Sequence, residues 1–234
     1  MQISINRPEK KNALSQQMYR ELTQALEQAQ QEDEIRVVLL TGTDSCFSAG
    51  NDLQDFLGAG ELNEQHPTVQ FLYKLAQFNK PLVAAVAGLA IGIGTTALLH
   101  CDLVYAADNA RFQLPFTQLG LCPEAASSVL LPNVAGYQRA AQYLLLGEAF
   151  DAVAALSMGM VNQVVSPAQL MPLARQKAEQ LAALPADAVQ SSKALLKRAQ
   201  ITHTTETIAA ELVQFQRLLH SSESQARIAA FFKR

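Results

Sequence analysis

Eighteen consecutive residues, Leu82 to Leu99, carry no charge. A run of that length can cross a bilayer as a helix, so the way it folds constrains the whole chain. Gly88, Gly92 and Gly94, followed by Thr95 and Thr96, interrupt it. It divides instead into an apolar segment Leu82–Val86, a glycine turn, and a short helix from Thr95 to His100. Leu82-Val-Ala-Ala-Val86 has no polar alternation, the pattern of a strand covered on both faces. Arg36-Val-Val-Leu-Leu-Thr41 and Asp102-Leu-Val-Tyr105 repeat that pattern. Helical patterns lie between such segments. Ser15 is a fitting N-cap for a helix to about Glu32, with Met18, Leu22, Ala25, Leu26 and Ala29 at helical spacing, and Pro67–Phe78 reads as another. Alternation of this kind predicts an α/β fold with right-handed crossovers. Gln2–Asn6 reads as a short leading strand and Thr41–Asp52 as a long polar loop.

Beyond about residue 134 the pattern is mostly helical: Tyr137–Leu146 and Asp151–Ser157, a short strand Val161–Val165, then Ala168–Ala183, Asp187–Gln200, Thr205–Leu219 and Ser222–Phe232. A helical portion of this kind packs on its own core or on a neighbouring subunit, and the apolar faces of the last helices (Ile208, Leu212, Phe215, Leu219) agree with packing between subunits. So does the charged fraction of 17%, against about 25% in an ordinary soluble domain. The net charge of −3 argues against a nucleic-acid partner, whose binders are usually basic. Cys46, Cys101 and Cys122 form no C-x-x-C pair and are odd in number, which fits a reducing, cytoplasmic location. The four histidines show no metal-ligand spacing, and MQISINRPEKK has no apolar h-region of a signal peptide. No metal and no membrane association are expected.

Three motifs remain. Gly92-Ile-Gly94-Thr-Thr-Ala97 matches a dinucleotide fingerprint, but five residues separate it from the strand ending at Val86, and no acid follows at the right distance. Cys46-Phe-Ser-Ala-Gly-Asn51-Asp52 is either a surface turn using Gly50 or a loop aiming backbone N–H groups into a site. Leu121-Cys-Pro-Glu124-Ala-Ala-Ser-Ser128 places one acid before small residues. Glu124 either complements a helix dipole or is a partly buried base, raised toward neutrality by Leu121, Val129 and Leu130.

Taken in order, NRPEKKNALS, FSAGNDL, KPLVAAVAGLAIGIG, CDLVYAADNARFQLPFTQLGL and PEAASSVLLP resemble the crotonase (enoyl-CoA hydratase/isomerase) superfamily through nearly the whole chain. The resemblance implies a spiral of ββα units, with a core over residues 1–180 and a helical, trimerising C-terminal region over 181–234 in the same unit. It implies an acyl-CoA thioester substrate, no separate cofactor, and a homotrimer or hexamer. Residue by residue it places two backbone oxyanion donors at Asn51 and Ile93. The substrate-facing segments become Ser48, Ala49, Gly50, Asn51, Asp52 and Leu53, with Gly92 and Ile93. The two glutamates of enoyl-CoA hydratases fall on Thr96 and Phe116, neither of which carries a proton. Glu124 is the remaining acid, and its PEAASS setting resembles the peroxisomal-type Δ3,Δ2-enoyl-CoA isomerases, in which one glutamate moves a proton from C2 to C4. Another reaction of the same superfamily, a hydratase-like one included, and a non-catalytic acyl-CoA-binding or interaction protein stay open alternatives. Lys10, Lys11 and Lys233 are candidates for the CoA phosphates.

Overall fold

Each apolar segment becomes a strand of a fully parallel sheet ordered β1 (Gln2–Ser4), β2 (Val38–Thr41), β4 (Leu82–Val86), β6 (Leu103–Ala107), β9 (Gln163–Val165). A second sheet runs β3 (Cys46–Ser48), β5 (Leu89–Ile91), β7 (Arg111–Gln113), β8 (Ala149–Asp151), with only β8 antiparallel to its neighbour. This is a computed structural model, and it describes residues 1–57 and 60–232. The chain visits the large sheet, then the small one, then a helix, three times over. β2 and β3 lead to α2 (Leu53–Leu57) and α3 (Pro67–Gln77), while β4 and β5 lead to α4 (Ile93–Thr96), extended by a 3₁₀ turn Ala97–His100. β6 and β7 lead to α5 (Ser127–Ala135). The ββα spiral implied by the resemblance is therefore the fold.

The first long helix, α1 (Gln16–Gln31), starts where Ser15 Oγ accepts the Met18 N–H at 3.3 Å, and it buries Tyr19, Leu22, Leu26 and Ala29. It packs on α3, with the Tyr19 and Phe71 rings 5.4 Å apart. The rest of the chain adds α6 (Tyr137–Ala141, continuing as a π turn Gln142–Leu146), α7 (Ala152–Ser157), α8 (Pro167–Ala183), α9 (Ala186–Lys197), α10 (Ile201–Leu219) and α11 (Ser222–Phe231).

The unalternating strands are buried on both faces, as such sequences require. Val38, Leu40, Ala84, Val86, Val104 and Ala106 face the main core. Val37, Leu39, Val83, Ala85, Tyr105 and Ala107 face a smaller core sealed by Leu170 and Ala174 of α8. No helix among the described residues is long and apolar enough to cross a membrane.

The structure corrects three expectations. The loop Thr41–Asp52 contains β3, and the supposed spacer Ala87–Ile91 contains β5, so Gly92 follows a strand directly. These strands have three residues each, too short to leave a period in the sequence. Finally, Ile208, Phe215 and Leu219 are buried inside the chain's own core, because α10 packs against α3 and α5. They are not available to a partner. Other apolar side chains are exposed, Leu195 and Leu196 of α9 and Val213 of α10 as well as Tyr137, Leu145, Leu146, Val153 and Leu156.

Candidate active site

Two turns meet at the edge of the small sheet. The first leaves β3 through Ser48, Ala49 and Gly50. Ser48 Oγ donates to the Asn12 carbonyl at 2.9 Å and accepts the Gly50 N–H at 3.1 Å, while the Ala49 N–H donates to the Lys11 carbonyl at 3.0 Å. Leu14 then pairs with Asn51 in parallel fashion, donating to the Gly50 carbonyl at 2.8 Å and accepting the Asp52 N–H at 2.9 Å. Alternation along an extended chain turns the N–H of Asn51 to the opposite side. The second turn leaves β5 through Gly92, whose N–H donates to the Gln113 carbonyl at 2.9 Å and whose carbonyl accepts the N–H groups of Thr95 and Thr96 at 2.8 and 2.9 Å. Ile93 and Gly94 open the helix, so their N–H groups have no intrahelical acceptor. Among the described residues, neither Asn51 N–H nor Ile93 N–H bonds to a protein acceptor.

Glycines let the turns approach. A Cβ on Gly50, whose φ is +93°, would stand 3.0 Å from the Ile91 carbonyl oxygen, and one on Gly94 would stand 2.8 Å from the Ser48 carbonyl oxygen.

Glu124 lies at the same place. Thr96, one turn of α4 beyond Ile93, donates its hydroxyl to Glu124 Oε1 at 2.5 Å. Glu124 is only 5% exposed. Burial lifts its carboxyl to about 8, opposed by the Thr96 hydrogen bond and reinforced by the charge of Glu211. The carboxyl therefore sits deeper than at a pocket mouth, and it does not cap a helix. The acid that accepts N–H groups at the start of α5 is Glu211, bonded to Ala126 N–H at 2.6 Å and Ser128 N–H at 3.0 Å.

The remaining predicted residues have structural partners. Asp52 pairs with Arg7 at 2.8 Å; burial would raise its carboxyl, but the Arg7 hydrogen bond and neighbouring N–H groups prevail and hold it below its ordinary value. Leu53 opens α2 and packs against the main core. Phe116 is buried ahead of the 3₁₀ turn Thr117–Leu119. Lys10 and Lys11 are exposed, and Lys233 lies outside the described residues. The thiols are unsuited to nucleophilic work, since burial pushes Cys101 up to about 12 and Cys122 up to about 11.

Two site residues escape a reading from sequence. Tyr19 is buried, and its hydroxyl donates to Asn51 Oδ1 at 2.5 Å. Burial, then the charge of Glu124, holds its phenol well above the ordinary value. Glu211 interrupts the buried ladder Thr204, Ile208, Glu211, Phe215, Leu219 of α10. An acid inside an apolar stripe at helical spacing is the signal that identifies it.

A family model described as enoyl-CoA hydratase/isomerase matches residues 1–234. The 1,2-epoxyphenylacetyl-CoA isomerase of Escherichia coli K12 is 36% identical over 242 aligned residues, covering 99% of this chain and 91% of that protein. Enoyl-CoA delta isomerase 2 of Rattus norvegicus is 36% identical over 202, covering 84% of this chain and 51% of that protein. The crystal structure of an enoyl-CoA hydratase/isomerase from Pseudoalteromonas atlantica T6c superposes with a TM-score of 0.96 at 42% identity, covering 99% of this chain and 92% of that one.

Proposed function

Because the chain belongs to the enoyl-CoA hydratase/isomerase family, we propose that it moves the double bond of a 3-enoyl-CoA to the 2 position, with Glu124 as the single base. The carboxylate takes a proton from C2. The electron pair delocalises over the thioester oxygen and C4, and the same carboxyl returns the proton to C4, so no atom is gained or lost. The N–H groups of Asn51 and Ile93 receive the oxyanion; they are rigid backbone donors that need no reorganisation as charge develops. Segments 48–53 and 92–93 line the thioester, and no separate cofactor takes part, CoA belonging to the substrate.

The observation that carries this reading is the Glu124 carboxyl, buried and lifted to about 8, bonded through Thr96 to the turn whose Ile93 N–H, like that of Asn51, has no protein acceptor among the described residues. A base near that value works at neutral pH. Thr96 and Phe116, at the positions of a hydratase's two glutamates, supply no second acid to handle water, and Phe116 dries the pocket. The test is a panel of 3-enoyl-CoA and 2-enoyl-CoA thioesters with isomerisation and hydration assayed separately. Isomerisation should dominate by about 10²-fold or more, the worth of a missing general catalyst; dominant hydration would overturn the proposal. A second reading, isomerisation of an epoxide-bearing arylacetyl-CoA, is favoured by the end-to-end match to the relative so named, and 1,2-epoxyphenylacetyl-CoA belongs in the same panel. We also propose a cytoplasmic homotrimer or hexamer. The assembly is supported by exposed apolar side chains, among them Tyr137, Leu145, Val153, Leu196 and Val213, and a monodisperse monomer in light scattering at micromolar concentration would contradict it.

A further inference from the structure

The loop that presents Glu124 has a backbone shape that its own residues resist. Ala125 and Ala126 both have positive φ, 58° and 56°. The left-handed region brings a Cβ too close to the next carbonyl, and two alanines in succession do not adopt it by local preference. Such a turn persists only when its surroundings over-determine it.

The surroundings come from two distant elements. His100, in the 3₁₀ turn after α4, bonds through Nε2 to the Ala125 carbonyl at 2.8 Å. Burial pushes the imidazole down to about 4, so it is neutral and donates Nε2–H to that oxygen. Glu211, on α10, accepts Ala126 N–H with one carboxylate oxygen and Ser128 N–H with the other. The Glu124 carbonyl itself accepts the N–H and the hydroxyl of Ser127, at 3.0 and 2.7 Å. The turn is therefore gripped on both sides of the Ala125–Ala126 pair, and the Glu211 grip is the charged, two-pronged one.

Glu211 is itself a buried carboxyl, 8% exposed, and burial raises it while the Ser128 and Ala126 partners pull it back. A group that only joined two helices would not need two acceptors set astride a left-handed residue. A glutamine in its place presents one acceptor and one N–H donor to two N–H donors.

Resting on the reading of Glu124 as the base, we infer that Glu211 is a positioning residue: its grip on the Ala126 and Ser128 N–H groups fixes the left-handed pair and thereby aims the Glu124 carboxyl at Thr96 and the reacting carbon. The last long helix is in this way part of the catalytic apparatus without touching substrate.

The experiment compares the parent, Glu211→Gln, Glu211→Gln with Ala126→Gly, and Glu124→Gln. It measures kcat and KM on a 3-enoyl-CoA, folding by circular dichroism, and amide hydrogen exchange over residues 125–128. Folded Glu211→Gln should lose about ten- to hundredfold in kcat, the cost of a misplaced catalytic group, with KM held within about threefold. Its amides at 126 and 128 should exchange faster than the parent's. Adding Ala126→Gly should restore part of kcat, about threefold or more, because glycine enters the left-handed region without the Cβ penalty. A folded Glu211→Gln with parental kcat or parental exchange overturns the inference. If Glu211→Gln does not fold, Glu211→Asp, the same charge on a shorter arm, is judged by the same thresholds. If Glu124→Gln keeps full activity, the base reading fails, and the exchange data still decide whether Glu211 holds the turn. If Glu124→Gln is inactive and Glu211→Gln retains parental kcat, only the inference fails.

Discussion

Replacing Thr96 by valine removes one hydroxyl and keeps the shape of the side chain, which makes it the sharpest probe of Glu124. Thr96 is fully buried, and its hydroxyl reaches Glu124 Oε1 at 2.5 Å. Burial lifts Glu124 to about 8 in spite of that bond. About a tenth of the carboxyl is then ionised at pH 7, and the parental kcat/KM should climb about tenfold per pH unit up to that value. A hydrogen bond to a charged group contributes about 1.5–3 kcal/mol, and one pKa unit corresponds to about 1.4 kcal/mol. Losing the bond should therefore raise Glu124 by about one unit or more. At pH 7 the ionised fraction, and kcat/KM with it, falls about tenfold or further. Well above both values each enzyme is ionised, and the limiting rates should agree within about threefold. The assay is kcat/KM for 3-enoyl-CoA isomerisation from pH 6 to about 10, read from the ultraviolet absorbance of the conjugated thioester. A Thr96→Val enzyme slowed equally at every pH would refute the argument, since the hydroxyl would then do something other than set the ionisation of the base. An unshifted profile would refute it too.

Four other variants have expected outcomes. Glu124→Gln should lower isomerisation and solvent-deuterium exchange at C2 together, by about 10²–10⁴-fold, with acyl-CoA binding kept within a few-fold. The same variant bears on stability: the folded value of about 8 lies above the ordinary 4.5, so that stability is full below 4.5 and lost as pH rises through 8. Glu124→Gln should therefore melt above the parent at pH 9, by at most about 5 kcal/mol of stability, and converge with it near pH 4.5 in calorimetry. Gly92→Val should reduce turnover by about 10²-fold, through strain at φ +54° rather than a clash, since nothing lies within 4 Å of the added Cβ; Asn51→Ala, which removes the Tyr19 acceptor, should cost mainly stability, and equal kinetic damage would make that side chain a participant. Lys193→Met takes from Asp102 its charged partner at 2.7 Å and leaves it the Leu82 N–H at 2.8 Å, and should destabilise the fold by about 1–3 kcal/mol in urea titration, less than a fully buried pair because Asp102 is partly exposed.

The large sheet was legible because Leu82–Val86 and its counterparts are apolar without alternation, and the Ser15 cap announced α1 to within a residue. The small sheet was not, since Cys46–Ser48 and Leu89–Ile91 owe their extended form to each other rather than to their own composition. The acid of the candidate site was visible as a lone Glu124 among small residues. The supports of its turn were not: His100 and Glu211 come from separate elements, and only packing brings them to it, as only packing brings Tyr19 to Asn51. The apolar face of α10 was visible as a stripe, but sequence spacing says only that a face is buried, not whether its own chain or another covers it.

Asn51 lies just beyond β3 and Ile93 just beyond β5, neighbouring strands of one parallel sheet. The turns that carry the two proposed oxyanion donors thus start from neighbouring strands, whose repeat of about 4.8 Å is fixed by the peptide group itself. Side chains on the strands can be exchanged without altering that repeat, whereas a Cβ on Gly50 or Gly94 would push the turns apart. Position 96 stands on α4, and 116 and 124 stand in the connection between β7 and α5, so none of the three belongs to the strands that carry the donors. The backbone that would hold an anion is thus separate from the side chains that would carry a proton, and of these three positions only 124 bears an acid.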